Sequence, residues 1–176
     1  MECSDKILGN SQSGFSLMEL IIVIAIIAIS ASIATLNFNN WQNKGLAESQ
    51  IKQMISDISE LRYRAVTRKQ PVSVVFNSSN YILKAYTSIF RPYSSYSQQL
   101  VLPSGTKSVN FPLVNSTGVS YTGQYNELDE RGLVITSNVT SVFLGGNGNQ
   151  GSVNCFNFGG ARINAGKSSG GVCNDK

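Results

Sequence analysis

The sequence contains no histidine and few charged residues. Among its 176 residues, Asp, Glu, Lys and Arg make up only 14%, whereas they make up about 25% of an average soluble protein. Without an imidazole, a Ser-His-Asp triad, a Cys-His pair and a His-ligated zinc site are all excluded. We therefore predict that the chain is not an enzyme and holds no cofactor.

Proline is scarce as well, and the first of the four prolines is Pro71. The hydrophobic fraction of 41% is nevertheless sufficient for a core, and the length fits one domain with an appendage. Glycine, serine and asparagine are abundant, a balance that favours a β-rich domain outside the cytoplasm.

One long apolar segment lies near the amino terminus. The 24 positions 20–43 carry no charged side chain. As a helix, the 22 residues 15–36 would extend about 33 Å, which is enough to cross a hydrocarbon core of roughly 30 Å. This segment is predicted to span or anchor in a membrane.

The residues before this segment do not form an ordinary signal peptide. They contain two acidic residues and one lysine, whereas a signal peptide begins with positive charge. Small residues near position 34 still offer a cleavage site. Cleavage after Ala34, which would release a soluble periplasmic protein or enzyme, therefore stays an alternative.

The apolar segment begins with Gly14-Phe15-Ser16-Leu17-Met18-Glu19. An unpaired carboxylate deep in a membrane costs about 2.5–3.5 kcal/mol on insertion scales. Glu19 could avoid this cost at the membrane interface, in the first helical turn, where the helix dipole favours anions. Alternatively, Glu19 could pair with a positive charge supplied by a partner.

This pattern resembles the amino terminus of the type IV pilin and pseudopilin family, in which Gly precedes Phe-Ser/Thr-Leu-x-Glu and a long aliphatic helix. The resemblance implies that a prepilin peptidase removes residues 1–14 and methylates the new amino terminus of Phe15. It also implies that Glu19 pairs with the terminal amine of a neighbouring subunit during filament assembly. The protein would lie in the bacterial inner membrane, with its head in the periplasm, before it enters a pilus or pseudopilus.

A second, amphipathic helical pattern covers residues 41–69 and ends before Pro71, because the residue before proline is disfavoured in the α region. We predict one long helix over 15–69, with a transmembrane and assembly part over 15–36. Charged residues, among them Asp57, are predicted to form the wet face. The predicted buried stripe contains Leu46, Ile51, Met54, Ile55, Ile58, Leu61, Tyr63 and Ala65.

Residues 70–176 are predicted to form a β-rich globular head. Strands at 72–76 and 81–86 flank a short polar connection that suits a hairpin, and long loops are predicted over 88–99 and 145–151. Strands that follow one long helix predict an α+β fold, with an antiparallel sheet packed on the helix. Further strands are predicted at 108–111, 133–136, 141–144, 153–158 and 161–164.

Two turns, at 127–133 and 158–163, resemble the Gly-Arg-type turns of H-type minor pseudopilins and FimT/FimU-like minor pilins. That resemblance implies a minor subunit that joins an initiation or tip complex with other subunits. The acidic residues Glu127, Asp129 and Glu130 lack the ligand spacing of a calcium loop. A solvated turn is therefore predicted, with no metal.

The three cysteines leave one unpaired in the full chain. Cleavage after Gly14 would remove Cys3 and leave Cys155 and Cys173 in the exported head. A bridge between them would stabilise the head by about 3 kcal/mol in the chain-entropy model. Two reduced thiols are the alternative.

A basic cluster near the helix end comprises Arg62, Arg64, Arg68 and Lys69, in a chain of net charge +4. Such a cluster permits weak, salt-sensitive contact with nucleic acid, so a DNA-binding subunit of an uptake pilus is an alternative. A solvated helix face is the simpler interpretation. The main expectation is a structural, minor pilin-like subunit of a type IV pilus or type II secretion pseudopilus, with prepilin peptidase and other filament subunits as partners.

Overall fold

The computed structural model describes residues 14–86 and 99–175, without the side chains of 33–37 and 99–101. The chain divides into two compact units, Met1–Asn39 and Asn40–Lys176. The predicted leader up to residue 13, with Cys3, and positions 88–98 of a predicted loop lie outside the described residues.

A single helix, α1, runs over Leu17–Arg68, and the boundary of the two units falls within it. No proline interrupts this stretch. Glu19 lies in the first turn and Arg68 in the last, where each charge complements the helix dipole. The helix ends because Lys69 adopts a left-handed φ of 53° and Pro71 follows closely.

In the second unit, one stripe of α1 is buried. The pattern correctly predicts most of this stripe, but Leu46 and Tyr63 are 40% and 70% exposed, because they lie to the side of it. Asp57, which was expected on the wet face, is buried. The buried apolar positions, spaced alternately by four and three, are Ala47, Ile51, Met54, Ile58, Leu61 and Ala65.

Within residues 14–86 and 99–175, ten strands form two five-stranded antiparallel sheets, where the sequence predicted one. The first sheet has the order β3-β2-β1-β5-β6 and the second β10-β9-β8-β7-β4. The strands are β1 Val72–Asn77, β2 Asn80–Tyr86, β3 Gln99–Ser108, β4 Leu113–Val114, β5 Thr122–Leu128, β6 Val134–Ser137, β7 Ser141–Leu144, β8 Cys155–Phe158, β9 Ile163–Ser169 and β10 Val172–Asp175.

The predicted hairpin is present, since β1 pairs with β2 and Val74 lies opposite Leu83. The prediction of a strand at 108–111 was wrong. There, the side chain of Gln50 on α1 accepts hydrogen bonds from the backbone N–H groups of Asn110 and Phe111, both at 2.9 Å. The predicted loop at 145–151 contains a short 3₁₀ helix, Gly146–Gln150.

One core joins the helix stripe to both sheets. Phe76 of β1 lies 5.7 Å, ring centre to ring centre, from Phe158 of β8, which lies 5.3 Å from Phe156. Phe76 and Phe156 are fully buried in the same cluster as Met54 and Ile58 of α1. The α+β fold class, with a helix packed on antiparallel sheet, is thus confirmed, and the fold is consistent with a pilin-like one.

Candidate assembly segment and turn cluster

The amino-terminal part of α1 exposes nearly all of its apolar side chains. We call residues 14–32 the assembly segment. Phe15 is 82% exposed, and Glu19 is also exposed. Soluble monomers seldom expose a continuous apolar surface of this extent. The other large apolar side chains exposed here are Leu17, Met18, Leu20, Ile21, Ile22, Val23, Ile24, Ile26, Ile27 and Ile29.

Two serines of the assembly segment form side-chain hydrogen bonds inside the helix. The hydroxyls of Ser30 and Ser32 donate to the carbonyl oxygens four residues earlier, at 2.9 and 2.8 Å. Glu19 is the one ionisable side chain between positions 14 and 32.

Within the helical residues searched, no stretch meets the length and apolarity required of a membrane span.

The second feature lies in the second unit, where both predicted Gly-Arg turns meet α1. We call Arg62 together with residues 129–132 and 159–162 the turn cluster. The start of β6, just after the first turn, is joined to the second turn, since the N–H of Val134 donates to the carbonyl oxygen of Gly160 at 3.1 Å. Although the turns lie far apart in the sequence, they form one surface region beside the helix.

Asp129 organises the first turn. Its Oδ1 accepts the backbone N–H groups of Arg131 and Leu133, both at 2.9 Å, and its Oδ2 accepts Nε of Arg131 at 3.0 Å. Burial alone would raise the pKa of the Asp129 carboxyl, but the hydrogen bonds from Leu133 and Arg131, with the positive charge of Arg131, together lower it. The turn therefore depends on an ionised aspartate.

Arg62 fixes the second turn to the helix. Its Nη1 donates to the carbonyl oxygen of Ala161 at 2.6 Å. Its Nε and Nη2 are buried and have no hydrogen-bond partner among the described residues. Burial lowers the pKa of the guanidinium below its usual value. Arg62 thus acts as a structural link more than as a free surface charge.

Gly132 allows the first turn to approach Arg62. Its φ is +75°, and a Cβ at this position would lie 2.6 Å from Cγ of Arg62 and 3.2 Å from Cγ2 of Val66. Any other residue would meet both a backbone strain and a steric clash. The glycine of the resembled motif therefore has a clear physical role in this chain.

The prediction of a solvated acidic turn was wrong for two of its three residues. Glu127 and Asp129 are buried, and only Glu130 is partly exposed. Glu127 accepts hydrogen bonds from the hydroxyls of Tyr86 and Thr136. Nothing in the local spacing signals this burial, because the partners come from other strands.

The four basic residues near the helix end do not form one surface. Arg62 is largely covered, whereas Arg64 lines a small cavity of about 170 Å³ together with Asp57 and Lys107. Arg68 and Lys69 are exposed. On a helix, residues 62 and 64 point about 200° apart, so their separation follows from α1 itself.

Cys155 of β8 and Cys173 of β10 form a disulfide, with their Cα atoms 5.9 Å apart. The two strands are not neighbours, because β9 lies between them. The bridge crosses β9 at Gly166, which pairs with Cys155 and whose added Cβ would lie 2.8 Å from Sγ of Cys173. The bridge ties the carboxy-terminal hairpin to the sheet.

Comparison with known proteins places the recognisable part of the chain at its amino terminus. Residues 9–35 match the family model described as the prokaryotic N-terminal methylation motif. The match includes Gly14, Phe15 and Glu19, and it supports a type IV pilin-like protein that a prepilin peptidase processes and that assembles with other pilins. No curated protein and no solved structure matches the chain.

Proposed function

We propose that this chain is a structural, non-catalytic minor subunit of a type IV pilus or type II secretion pseudopilus. Prepilin peptidase cleaves it between Gly14 and Phe15 and methylates Phe15. The chain is anchored in the inner membrane before assembly and then enters the filament through its assembly segment. The methylation-motif match at residues 9–35 carries this proposal.

The chemistry of the assembly segment supports the same function. After cleavage, Phe15 presents a terminal amine four residues before Glu19, on a helix that is otherwise uncharged up to Asn43. In an apolar filament interior, Glu19 of one subunit pairs with the amine of its neighbour. Loss of one partner from such a buried pair costs about 3–5 kcal/mol, so the pair sets the register between subunits.

The head supports a structural role in an exported filament. Its disulfide suits an oxidising compartment. Its buried acids, Asp57, Glu127 and Asp129, hydrogen-bond to groups of the fold itself. The two turns that resemble those of minor subunits meet at Arg62, and this supports a role in an initiation or tip complex with other subunits.

Mass spectrometry of the mature amino terminus tests the proposal. The expected product starts at Phe15 and carries one added methyl group, in cells that contain a prepilin peptidase. In cells that lack the peptidase, the chain should keep its leader. A mature chain that starts at Thr35 would instead show an ordinary secreted protein and overturn the proposal.

A second test concerns Glu19. We expect Glu19→Ala to leave cleavage intact but to reduce incorporation into sheared filaments by at least about tenfold. The reason is that the loss of one partner from the buried pair costs more than the roughly 1.4 kcal/mol of a tenfold change in an equilibrium. Val23→Ala, one turn along the same helix, is the matched control and should incorporate nearly normally. Normal incorporation of the Glu19 variant would contradict the assembly role.

A further inference from the structure

An exposed apolar patch flanks the turn cluster. Tyr63 is 70% exposed, and Val66, Leu133 and Ile135 also keep substantial exposed area. These side chains come from the helix, from the first turn and from the edge strand β6. We call these four residues, together with Arg131 and Arg162, the docking face.

The geometry makes these residues neighbours. The position of a Gly132 Cβ lies 3.2 Å from Cγ2 of Val66, so the turn rests against this part of the helix. Tyr63 precedes Val66 by three residues and therefore shares its side of α1. Leu133 follows Gly132 directly, and the exposed Ile135 lies two residues further on, in the edge strand β6.

The rim of the docking face is positively charged. Arg131 is 69% exposed, although its Nε is paired with Asp129. Arg162 is exposed, and it adjoins Ala161, whose carbonyl oxygen is held by Arg62. Of the acids in the first turn that could offset these charges, Asp129 is buried and Glu130 is only partly exposed. The exposed charge of the two turns is thus mainly that of guanidinium groups.

We propose that the docking face binds a different filament subunit, through a surface of that partner that is apolar at its centre and carries carboxylates at its edge. Tyrosine and arginine are the residues that most often dominate binding energy at protein interfaces. Carboxylates opposite Arg131 and Arg162 complete a charge-complementary contact. This inference rests on the proposed function, because it seeks the partner among filament subunits.

Charge argues against a second copy of this chain as the occupant. A twofold contact through the docking face would bring the arginines of one copy close to those of the other. Like charges at an interface are costly, and the whole chain is also net positive, at +4. An acidic partner removes this repulsion, and so the partner differs in sequence from this chain.

A photo-crosslinking amino acid placed at position 63 of the full chain, in cells that assemble the filament, tests the inference. Position 172, which is exposed on β10 at the end of β9 opposite to the second turn, is the control site. The expected product joins position 63 to an acidic segment of another protein that bears its own amino-terminal methylation motif. Arg162→Glu should lower its yield at least about fivefold, whereas the matched reversal Lys52→Glu should not.

Several outcomes would overturn the docking proposal. These are a cross-link to a second copy, to nucleic acid or to lipid, an absence of products specific to position 63, or a yield that Arg162→Glu leaves unchanged. The amino terminus is analysed in the same sample. A methylated Phe15 without the expected cross-link defeats the docking face alone, whereas an unprocessed or differently cleaved terminus defeats the proposed function.

Discussion

The hydroxyl of Tyr81 donates a hydrogen bond to Oδ2 of Asp57 over 2.5 Å, and both residues are buried. The other carboxylate oxygen accepts Nε2 of Gln53 at 2.8 Å. Burial, the hydrogen bond and the charge of Asp57 all raise the pKa of the Tyr81 hydroxyl. This contact links α1 to β2 through a polar pair within an apolar core.

Removal of either partner of this pair should destabilise the head. We expect Tyr81→Phe to lower the free energy of unfolding by about 1–3 kcal/mol, because it leaves a buried carboxylate oxygen without its donor. Urea denaturation of the full chain in detergent measures the loss. Tyr63→Phe, on the exposed side of α1, should change stability by less than about 0.5 kcal/mol.

Asp57→Asn combined with Tyr81→Phe completes a double-mutant cycle. The effects of the two substitutions should fall short of additivity by at least about 0.5 kcal/mol, since the residues are in direct contact. Additive effects, or a Tyr81→Phe loss no larger than that of Tyr63→Phe, would show that the bond contributes little.

The turn cluster should be sensitive to a methyl group at Gly132. Gly132→Ala combines the strain of φ +75° with a contact of 2.6 Å to Arg62. Gly118→Ala is a matched control, because its φ is +81° and nothing lies within 4 Å of the added Cβ. We expect Gly118→Ala to lower the free energy of unfolding by about 1–2 kcal/mol. Gly132→Ala should lower it by about 1–3 kcal/mol more, as measured by thermal or urea unfolding. Equal losses would remove the steric argument.

Asp129 should make the stability of the head depend on acid pH. The pKa of this carboxyl is lower in the folded state than its ordinary value of 3.8. Its stabilising contribution is therefore fully present above that ordinary value and is lost as the pH falls through the folded-state pKa. In unfolding measurements from pH 6 to pH 2, the wild type should lose more stability than Asp129→Asn. Parallel curves would contradict this assignment.

The disulfide should account for a measurable part of the head's stability. We expect the double variant Cys155→Ala, Cys173→Ala to lose about 2–4 kcal/mol. A reductant should reproduce most of this loss in the wild type and have no effect on the double variant, as monitored by thermal unfolding. If the reduced wild type were as stable as the oxidised protein, the bridge would not stabilise the carboxy-terminal hairpin.

The sequence predicts the helical part of this protein better than the head. Helical periodicity is a local property, so the buried positions 51, 54, 58, 61 and 65 could be recognised directly. Strand β5 could not, since its sequence Thr-Gly-Gln-Tyr-Asn-Glu-Leu has no alternation and includes two buried polar residues. Asn126 is buried there because it exchanges two hydrogen bonds with the backbone of Val139.

The same distinction holds for the candidate sites. Gly14, Phe15 and Glu19 lie within a few residues of each other, and so their pattern is readable in the sequence alone. For the basic cluster, proximity along the chain does not decide which residues share a surface, because Arg62 bonds to the carbonyl oxygen of Ala161 while Arg64 lines a cavity. The sequence gives no sign that Glu127 is buried, since Tyr86 of β2 and Thr136 of β6 come to it from other strands of the sheet.

By itself, the sequence determined the long helix, the methylation motif with its single acid, and the α+β class, because each of these depends on residues that are close together in the chain. Only the tertiary structure decided that the strands form two sheets, that Cys155 bridges to Cys173 across Gly166, and that two distant turns meet at Arg62. These features depend on contacts between residues far apart in the sequence. Such contacts stabilise the protein only after folding has brought the residues together.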